Sequence, residues 1–269
     1  MNRIISSLVL LALTTAAAAQ TKIVAHRGHW NTEGSAQNSI TSLHKAAEAG
    51  CWGSEFDVWI TADGVCVINH DATVNGTRIE TAGYSQLRSM RLANGETLPT
   101  LEQYLWEGAH LSPMRLVLEI KGHSTPEAES KCVDEVLRLV KKYGVVDQTD
   151  YISFSIHACE DLVAKAHKVL DGPNGQRSGK REDKVDLCVE YLGGDLTPQE
   201  VKAKGLTGID YEQSVLLEKH PEWIEECHNL GLKVNVWTVD SLDNVWKLIT
   251  NKADKITTNR PVESLKLSK

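Results

Sequence analysis

The chain has 269 residues, of which 41 % are hydrophobic, and this is enough to bury one large core. A formal net charge of −7 and the lack of a lysine-rich face argue against binding to nucleic acid or to an anionic membrane surface. Any phosphate group that this protein binds must therefore be held by local positive charge or by a metal ion.

Residues 1–19 have the pattern of a cleaved signal peptide. Arg3 provides a short basic region, residues 4–13 are mostly apolar, and small residues precede Gln20. The apolar run is too short to span a bilayer comfortably, and no cysteine is placed for a lipid-modified leader. We expect export to the periplasm or the medium, no stable membrane insertion after cleavage, and one domain over residues 20–269.

Export permits disulfides, but the cysteines form no CxxC pair and no regular framework. Several lie inside apolar segments, so we predict buried free thiols rather than disulfides or a zinc site. The cysteines are Cys51, Cys66, Cys132, Cys159, Cys188 and Cys227.

Short strand-like segments alternate along the chain with segments whose apolar residues recur at helical spacing. Val133, Val136, Leu137 and Val140, for example, predict an amphipathic helix over residues 127–143. The predicted strands cover residues 22–25, 53–60, 116–121, 151–155, 185–191, 208–211, 232–237 and 255–258. The other predicted helices lie between Asn38 and Gly50 and over residues 101–107, 159–170, 197–204, 222–230 and 242–250.

Eight strands, nearly all followed by a helix, imply parallel strands with right-handed crossovers and favour an α/β fold, a closed (β/α)8 TIM barrel. An open doubly wound sheet is the alternative, but the chain has no glycine-rich phosphate loop to support it. The short extended run of residues 65–70 and the polar segment 72–100 are interpreted as a small insertion after the second strand. Residues 171–184 are loop-like and form either a lid over the site or a solvated connection.

Residues capable of chemistry lie where the predicted strands end, and in a barrel these ends share one rim. Glu55 and Asp57 are two apart on a strand, so both side chains point to one face, and Glu119 and Lys121 repeat this spacing. Three carboxylates facing a barrel interior favour a bound divalent metal, Ca²⁺ or Mg²⁺ rather than zinc. The alternative is salt bridges, such as Glu119 with Lys121 or Glu55 with Arg27.

Two histidines follow predicted strands and form a candidate acid–base pair, because imidazole titrates near neutrality. They are His26 and His70, and His70 is alternatively a metal ligand. Arg27 offers a planar fork to phosphate oxygens. Asn38 is either a helix cap, which the sequence favours, or a polar contact to substrate or metal. Trp237 either walls the substrate pocket or closes the core.

Eight short motifs follow one another along the chain. They are His26-Arg27-Gly28, Gln37-Asn38-Ser39, Glu55-Phe56-Asp57, Thr61-x-Asp63-Gly64, His70-Asp71, Leu98-Pro99-Thr100-Leu101, Leu118-Glu119-Ile120-Lys121 and Val236-Trp237-Thr238-Val239. Taken in order, these motifs resemble those of the glycerophosphodiester phosphodiesterase family. The resemblance runs from Ile23 to about Pro261, and its order and spacing are specific although each motif alone is weak.

The resemblance implies a (β/α)8 barrel that hydrolyses glycerophosphodiesters, its small-molecule substrates, to glycerol 3-phosphate and an alcohol. The roles it implies are acid–base catalysis for His26 and His70, metal binding for Glu55, Asp57 and Glu119, and phosphate binding for Arg27 and Lys121.

Two motifs depart from the family pattern. The usual Pro-Glu-Asn-Thr reads Ala36-Gln37-Asn38-Ser39, and the closing Thr-Asp reads Thr258-Asn259. Neither touches the acid–base pair or the three acids, so we expect an effect on substrate preference more than on activity.

Two other functions are compatible with these residues. A phospholipase-type phosphodiesterase acting on lysophospholipids or phosphoinositides would have an exposed apolar rim near Trp237. A non-catalytic periplasmic binding module would be expected to have lost one histidine, and the presence of both favours catalysis. The sequence does not indicate an oligomeric state.

Overall fold

The computed structural model describes residues 20–170 and 187–269. The predicted signal peptide and the loop of residues 171–184 lie outside these ranges. Within them, the strands are β1 (Lys22–Ala25), β2 (Gly53–Ile60), β3 (Cys66–Ile68), β4 (Thr73–Val74), β5 (Thr77–Arg78), β6 (Arg115–Ile120), β7 (Thr149–Ser153), β8 (Val189–Tyr191), β9 (Gly208–Glu212), β10 (Lys233–Trp237) and β11 (Lys255–Thr258). The α-helices are α1 (Ile40–Glu48), α2 (Tyr84–Leu87), α3 (Leu101–Ala109), α4 (Pro126–Lys142), α5 (Ile156–Leu170), α6 (Pro198–Ala203), α7 (Trp223–Asn229), α8 (Leu242–Thr250) and α9 (Pro261–Leu267).

Eight parallel strands close into a barrel with helices around it. The strand order is β1-β11-β10-β9-β8-β7-β6-β2, and pairing of β1 with β2 closes the ring. The predicted (β/α)8 TIM barrel is therefore confirmed. The predicted strands all occur, with boundaries shifted by a few residues, and β8 is shorter than predicted in the described residues. The sequence did not predict α9 or the π-helical segment Val215–Lys219.

Helix starts in this chain are marked by side chains that satisfy free backbone N–H groups. Thr100 and Thr197 form capping boxes with Gln103 and Glu200 at the starts of α3 and α6. These local signals explain why the sequence located most helices correctly.

The main apolar core lies between the barrel and its helices, because alternate strand residues point to opposite faces. Phe56 and Val58 of β2 and Leu118 and Ile120 of β6 are buried in this outer cluster. Shortening a fully buried phenylalanine such as Phe56 to alanine costs roughly 3–5 kcal/mol. The alternate residues of the same two strands are therefore left for the barrel interior.

The barrel interior holds a small apolar cluster and, at the amino ends of the strands, buried ion pairs. The Lys255 ammonium lies 3.1 Å from an Asp150 carboxylate oxygen and 2.7 Å from one of Glu190. Arg115 also contacts Asp150. In barrels of this kind the face at the amino ends serves stability, whereas chemistry lies at the opposite face.

The predicted insertion follows β2. Strand β3 pairs antiparallel with the last residues of β2, and the β4–β5 hairpin and α2 enclose a separate small apolar cluster. Glu96, near the end of the insertion, accepts hydrogen bonds from the backbone N–H groups of Ile40 and Thr41. This carboxylate links the insertion to the positive end of α1.

All six cysteines lie in the described part of the chain, where none forms a disulfide and all but Cys188 are buried. The predicted free thiols are confirmed. No helix in residues 20–170 or 187–269 is both long enough and apolar enough to cross a membrane.

Candidate active site

Three buried carboxylates meet at the carboxyl ends of β2 and β6. Oxygens of Glu55, Asp57 and Glu119 lie within 4.8 Å of one another. The strand register brings them together, because Asp57 pairs with Glu119 across β2 and β6 and Glu55 lies one inward position before Asp57. The structure thus brings together the three acids that the sequence placed at one rim.

The electrostatics of this cluster favour a cation. Burial, and then the neighbouring carboxylates, raise the pKa of Glu55 well above its usual range. Burial and the Asp57 carboxylate raise the pKa of Glu119 to about 8. The pKa of Asp57 is lowered despite its burial, because the Lys121 ammonium and the Asn38 amide stabilise its charged form. Only one of the three acids is thus readily ionised without added positive charge.

The donor set fits a hard divalent cation. Glu55 Oε1 is buried and has no hydrogen-bond partner among the described residues, although the same carboxylate accepts the Arg27 backbone N–H at Oε2, at 2.7 Å. Three carboxylate groups without a sulfur donor are ligands typical of Ca²⁺ and Mg²⁺.

Two cations flank the acids. Lys121 Nζ lies 2.7 Å from Glu119 Oε1 and 3.1 Å from Asp57 Oδ1, so the ion pair considered from the sequence is present within the cluster. Arg27 Nε lies 3.7 Å from Asp57 Oδ2 and is buried without a hydrogen-bond partner among the described residues. Arg27 Nη1 donates to Gln37 Oε1 at 2.7 Å. The guanidinium does not pair with Glu55, so the alternative of a salt bridge between Glu55 and Arg27 is wrong.

A strained turn holds the residues that follow β1. Arg27 has φ +55°, which is unusual for a residue with a side chain, and Gly28 has φ +75°. A Cβ at Gly28 would lie 2.3 Å from Ser42 Oγ and 2.7 Å from the Ser42 carbonyl carbon, so only glycine fits beside α1. The turn places His26 and the Arg27 N–H against Glu55, and backbone strain of this kind is concentrated at functional sites.

His26 lies between the acids and the end of β11. Its Nε2 is 4.0 Å from Glu55 Oε2, and its Nδ1 is 2.9 Å from Asn259 Oδ1. Burial, followed by the Arg27 guanidinium, lowers the pKa of His26 to about 4. The imidazole is therefore unprotonated at neutral pH, and one of its ring nitrogens bears a free lone pair.

His70 follows β3, which returns the chain to the same rim. The Asn69 N–H donates to the Asp57 carbonyl at 3.0 Å, and this bond fixes the segment beside the acids. His70 Nδ1 lies 2.8 Å from Asp71 Oδ1, and the side chain is half-exposed. Because Asn69 is bonded to Asp57, the adjacent His70 lies at the same rim as the acids.

The preferred interpretation of Asn38 as the cap of α1 is wrong. Ser39 is the N-cap, and its hydroxyl accepts the Ser42 N–H at 2.9 Å. Asn38 has φ +60° and turns its side chain to Asp57. Its amide donates to Asp57 Oδ2 at 2.8 Å and accepts the Asp57 N–H at 3.2 Å. A run of Gln-Asn-Ser contains two possible caps, and only the chain path through the site distinguishes them.

We expected neither departure from the family pattern to touch the acid–base pair, and for Asn259 this expectation is wrong. Asn259 contacts His26, whereas Gln37 contacts Arg27. Asn259 follows the last strand directly, so the rule that barrel chemistry lies after strand ends would have identified it.

Trp237 ends β10, where it is half-buried and packs on the interior apolar cluster. Its Nε1 donates to the Asp210 carbonyl at 2.9 Å. Phe154, which follows β7, meets it edge to face with ring centroids 5.3 Å apart, and Phe154 is 45 % exposed. An exposed aromatic group therefore lies beside Trp237 at the rim.

Comparison with known proteins gives the family of the chain. The family model described as the glycerophosphoryl diester phosphodiesterase family matches residues 26–263. A glycerophosphodiester phosphodiesterase structure from Parabacteroides distasonis is 42 % identical, covers 93 % of this chain and 97 % of its own, and has a TM-score of 0.84. The glycerophosphodiester phosphodiesterase of Caldanaerobacter subterraneus subsp. tengcongensis is 24 % identical, with 90 % of this chain and 95 % of that protein covered.

A third similar structure is a phosphodiesterase from Oleispira antarctica in complex with the product sn-glycerol-3-phosphate. It is 20 % identical, covers 92 % of this chain and 96 % of its own, and has a TM-score of 0.72, so it shares the fold. Since the family model spans residues 26–263, nearly the whole chain, the resemblance seen in the sequence is confirmed, and with it the enzyme class and the glycerophosphodiester substrates. The chain belongs to the glycerophosphoryl diester phosphodiesterase family.

Proposed function

We propose that this protein is an exported, divalent-metal-dependent phosphodiesterase that releases glycerol 3-phosphate and an alcohol from glycerophosphodiesters. The proposal rests on two buried polar atoms at one rim that have no hydrogen-bond partner among the described residues. Glu55 Oε1 is an acceptor that a cation would satisfy, and Arg27 Nε is a donor that an anion would satisfy. A phosphodiester accompanied by a divalent cation satisfies both.

Glu55, Asp57 and Glu119 would hold the metal, and Ca²⁺ and Mg²⁺ are the two candidates that suit their oxygen ligands. A cation held there supplies positive charge that neutralises phosphate charge as it builds in the transition state. Arg27 and Lys121 add fixed positive charge beside it. Because the Asp57 carboxylate already contacts the Arg27 guanidinium and the Lys121 ammonium, both groups are oriented before substrate arrives.

The two histidines would divide the proton transfers. His26 is neutral at neutral pH and buried, so we assign it as the base that deprotonates the nucleophile, which is water or the substrate's own glycerol hydroxyl. His70 Nδ1 lies 2.8 Å from Asp71 Oδ1, and this contact orients the imidazole at the rim. We assign His70 as the acid that protonates the leaving alkoxide. Trp237 would wall the substrate pocket, and Asn38 acts through Asp57.

The test uses the chain from Gln20 onward, stripped of metal. Release of glycerol 3-phosphate from glycerophosphocholine and glycerophosphoethanolamine is followed with and without added Ca²⁺ or Mg²⁺. We expect metal-dependent release that His26→Ala and His70→Ala each reduce by about 100-fold or more. His110→Ala is the matched control, because this histidine bonds the Trp106 carbonyl at the end of α3, outside the site.

Turnover without metal that survives removal of either histidine would contradict the proposed mechanism. Export is tested separately, by sequencing the amino terminus of the protein recovered outside the cytoplasm. We expect the mature chain to begin at Gln20, and an uncleaved cytoplasmic chain would contradict export.

A second candidate function is hydrolysis of lysophospholipids, which carry an apolar chain. One observation favours it: Phe154 is exposed beside Trp237, and such a surface suits an apolar group better than a charged one. The same assay with lysophosphatidylcholine decides between them. Preference for the lysophospholipid by kcat/KM would support this second function over the first.

A further inference from the structure

We propose that Asn259 is a positioning residue that selects the tautomer of His26, holding the proton on Nδ1 and leaving Nε2 free on the side of the acids. This inference rests on the proposed role of His26 as the base. It concerns a residue at which the chain departs from its family's pattern.

The orientation of the Asn259 amide is fixed by two partners, one that can only donate a hydrogen bond and one that can only accept it. Trp30 Nε1 can only donate, and it lies 2.9 Å from Asn259 Oδ1. Asp240 Oδ2 accepts at 2.8 Å from Asn259 Nδ2. An amide turned the other way would set two donors against each other at Trp30. The oxygen must therefore face Trp30, and it faces His26 as well.

The orientation of the amide determines the tautomer of the imidazole. His26 Nδ1 is 2.9 Å from Asn259 Oδ1, an acceptor, so Nδ1 must carry the proton. A neutral imidazole has one N–H, and its other nitrogen then bears the lone pair. That nitrogen is Nε2, which lies 4.0 Å from Glu55 Oε2 at the proposed metal site. A base that acts on a substrate at the proposed metal site needs its lone pair on the side that faces Glu55.

Asp240 anchors the network to the barrel. Its Oδ1 accepts the Asn259 N–H at 2.8 Å and the Thr258 hydroxyl at 3.1 Å. Asp240 follows β10 and Asn259 follows β11, so two neighbouring strand ends hold the amide in place. An aspartate at position 259 would set two carboxylates against each other here and would lose the Nδ2–H donor. The contact between Asp240 and residue 259 therefore explains why this chain has an amide at position 259.

The experiment reads the tautomer directly by long-range proton–nitrogen NMR on protein labelled with ¹⁵N-histidine, with the His26 signals assigned by comparison with His26→Ala. We expect the wild-type ring to carry its proton on Nδ1. Asn259→Leu removes the acceptor at similar size. We expect it to populate the Nε2–H form and to lower kcat on glycerophosphocholine about ten- to 100-fold, with KM changed less than about twofold.

A charge-swapped pair separates tautomer selection from a purely structural role. Asn259→Asp combined with Asp240→Asn keeps an acceptor for His26 and Trp30 and restores a donor between positions 240 and 259. We expect this double variant to keep the Nδ1–H tautomer and to recover most of the kcat that Asn259→Asp alone loses. It also serves as the test if Asn259→Leu does not fold.

Three results would overturn the proposal: an Nε2–H ring in the wild type, an unchanged tautomer in Asn259→Leu, or loss of the Nδ1–H form in the double variant. The NMR result does not depend on turnover. If the wild type failed to hydrolyse any glycerophosphodiester, the proposed function would fail while the spectrum still decided the tautomer.

Discussion

Asn38 and Asp57 are joined by two hydrogen bonds, one to a carboxylate oxygen and one from the backbone N–H of the same aspartate. The contact fixes both the strand position and the orientation of the one acid in the cluster whose pKa is lowered. It connects the turn before α1 to the proposed metal site. Asn38 is therefore a second residue, besides Asn259, whose side chain orients a residue of the site.

Replacing Asn38 with glycine tests this contact without adding backbone strain, because glycine adopts φ +60° freely. We expect weaker metal binding by calorimetric titration and a loss of about 1–3 kcal/mol in stability, since a buried carboxylate oxygen loses its partner. The matched control is Ser39→Ala, which removes the true helix cap. It should cost about 1 kcal/mol of unfolding free energy while leaving metal affinity unchanged. Equal metal affinity in Asn38→Gly and the wild type would contradict this role.

Metal removal should lower thermal stability. A cation that binds only the folded chain adds about 2.7 kcal/mol when present at 100 times its dissociation constant. We expect Ca²⁺ or Mg²⁺ to raise the melting temperature measured by calorimetry, and Glu55→Gln to abolish most of this rise. Glu135→Gln, which alters an exposed pair with Arg138, should leave the rise intact. A metal-independent melting temperature in the wild type would count against the site.

Gly28→Ala should disrupt both folding and activity. The new Cβ would overlap Ser42 in its side chain and backbone, so neither the turn nor α1 can keep its position. We expect a loss of more than about 3 kcal/mol, the sum of backbone strain and displacement of α1. Gly76→Ala is the matched control: its φ of +79° is similar, but nothing lies within 4 Å of the added Cβ. Comparable urea denaturation midpoints for the two variants would show that Ser42 is not the obstacle.

The buried ion pairs at the opposite face should make stability depend on pH. Burial alone would raise the pKa of Asp150, but Lys255 and Arg115 lower it below its usual range. A lowered pKa in the folded state gives stability that is present above the unfolded-state pKa of about 3.9 and is lost as pH falls through the folded-state value. Asp150→Asn should therefore cost about 3 kcal/mol or more at pH 7 and progressively less below about pH 4.

The measurement for Asp150 is urea unfolding of the wild type and Asp150→Asn between pH 7 and pH 3. A difference in unfolding free energy that grows toward low pH would have the wrong sign and would contradict the assignment. At pH 7 the kcat of Asp150→Asn should stay near that of the wild type, because the pair lies at the amino ends of the strands.

Phe154→Ala tests whether the rim binds the acyl chain of a lysophospholipid. If that chain rests on Phe154 and Trp237, we expect KM for lysophosphatidylcholine to rise about ten-fold while KM for glycerophosphocholine, which has no acyl chain, changes little, as one buried aromatic contact of this size allows. Trp246→Ala, another exposed aromatic residue, on α8, is the control. A similar effect on both substrates would assign Phe154 a general role in the pocket.

The sequence by itself determined the barrel and the three acids of the proposed metal site. Strand-like segments that alternate with amphipathic helices allow few folds, and the two-residue spacing of Glu55 and Asp57 fixes their common face whatever surrounds them. Glu119 follows from the same spacing with Lys121. These are local properties of the chain, so no knowledge of distant contacts was needed to find them.

Tertiary structure decided which residues orient those of the candidate site. Asn38 was taken for a cap because the α1 signal fits either Asn38 or Ser39, and only the approach of Asp57, from another strand, separates them. Asn259 lies 233 positions from His26 and became its neighbour only when the first and last strands paired. Side chains that act through a partner carry no periodic or local signal, because their role depends on barrel closure.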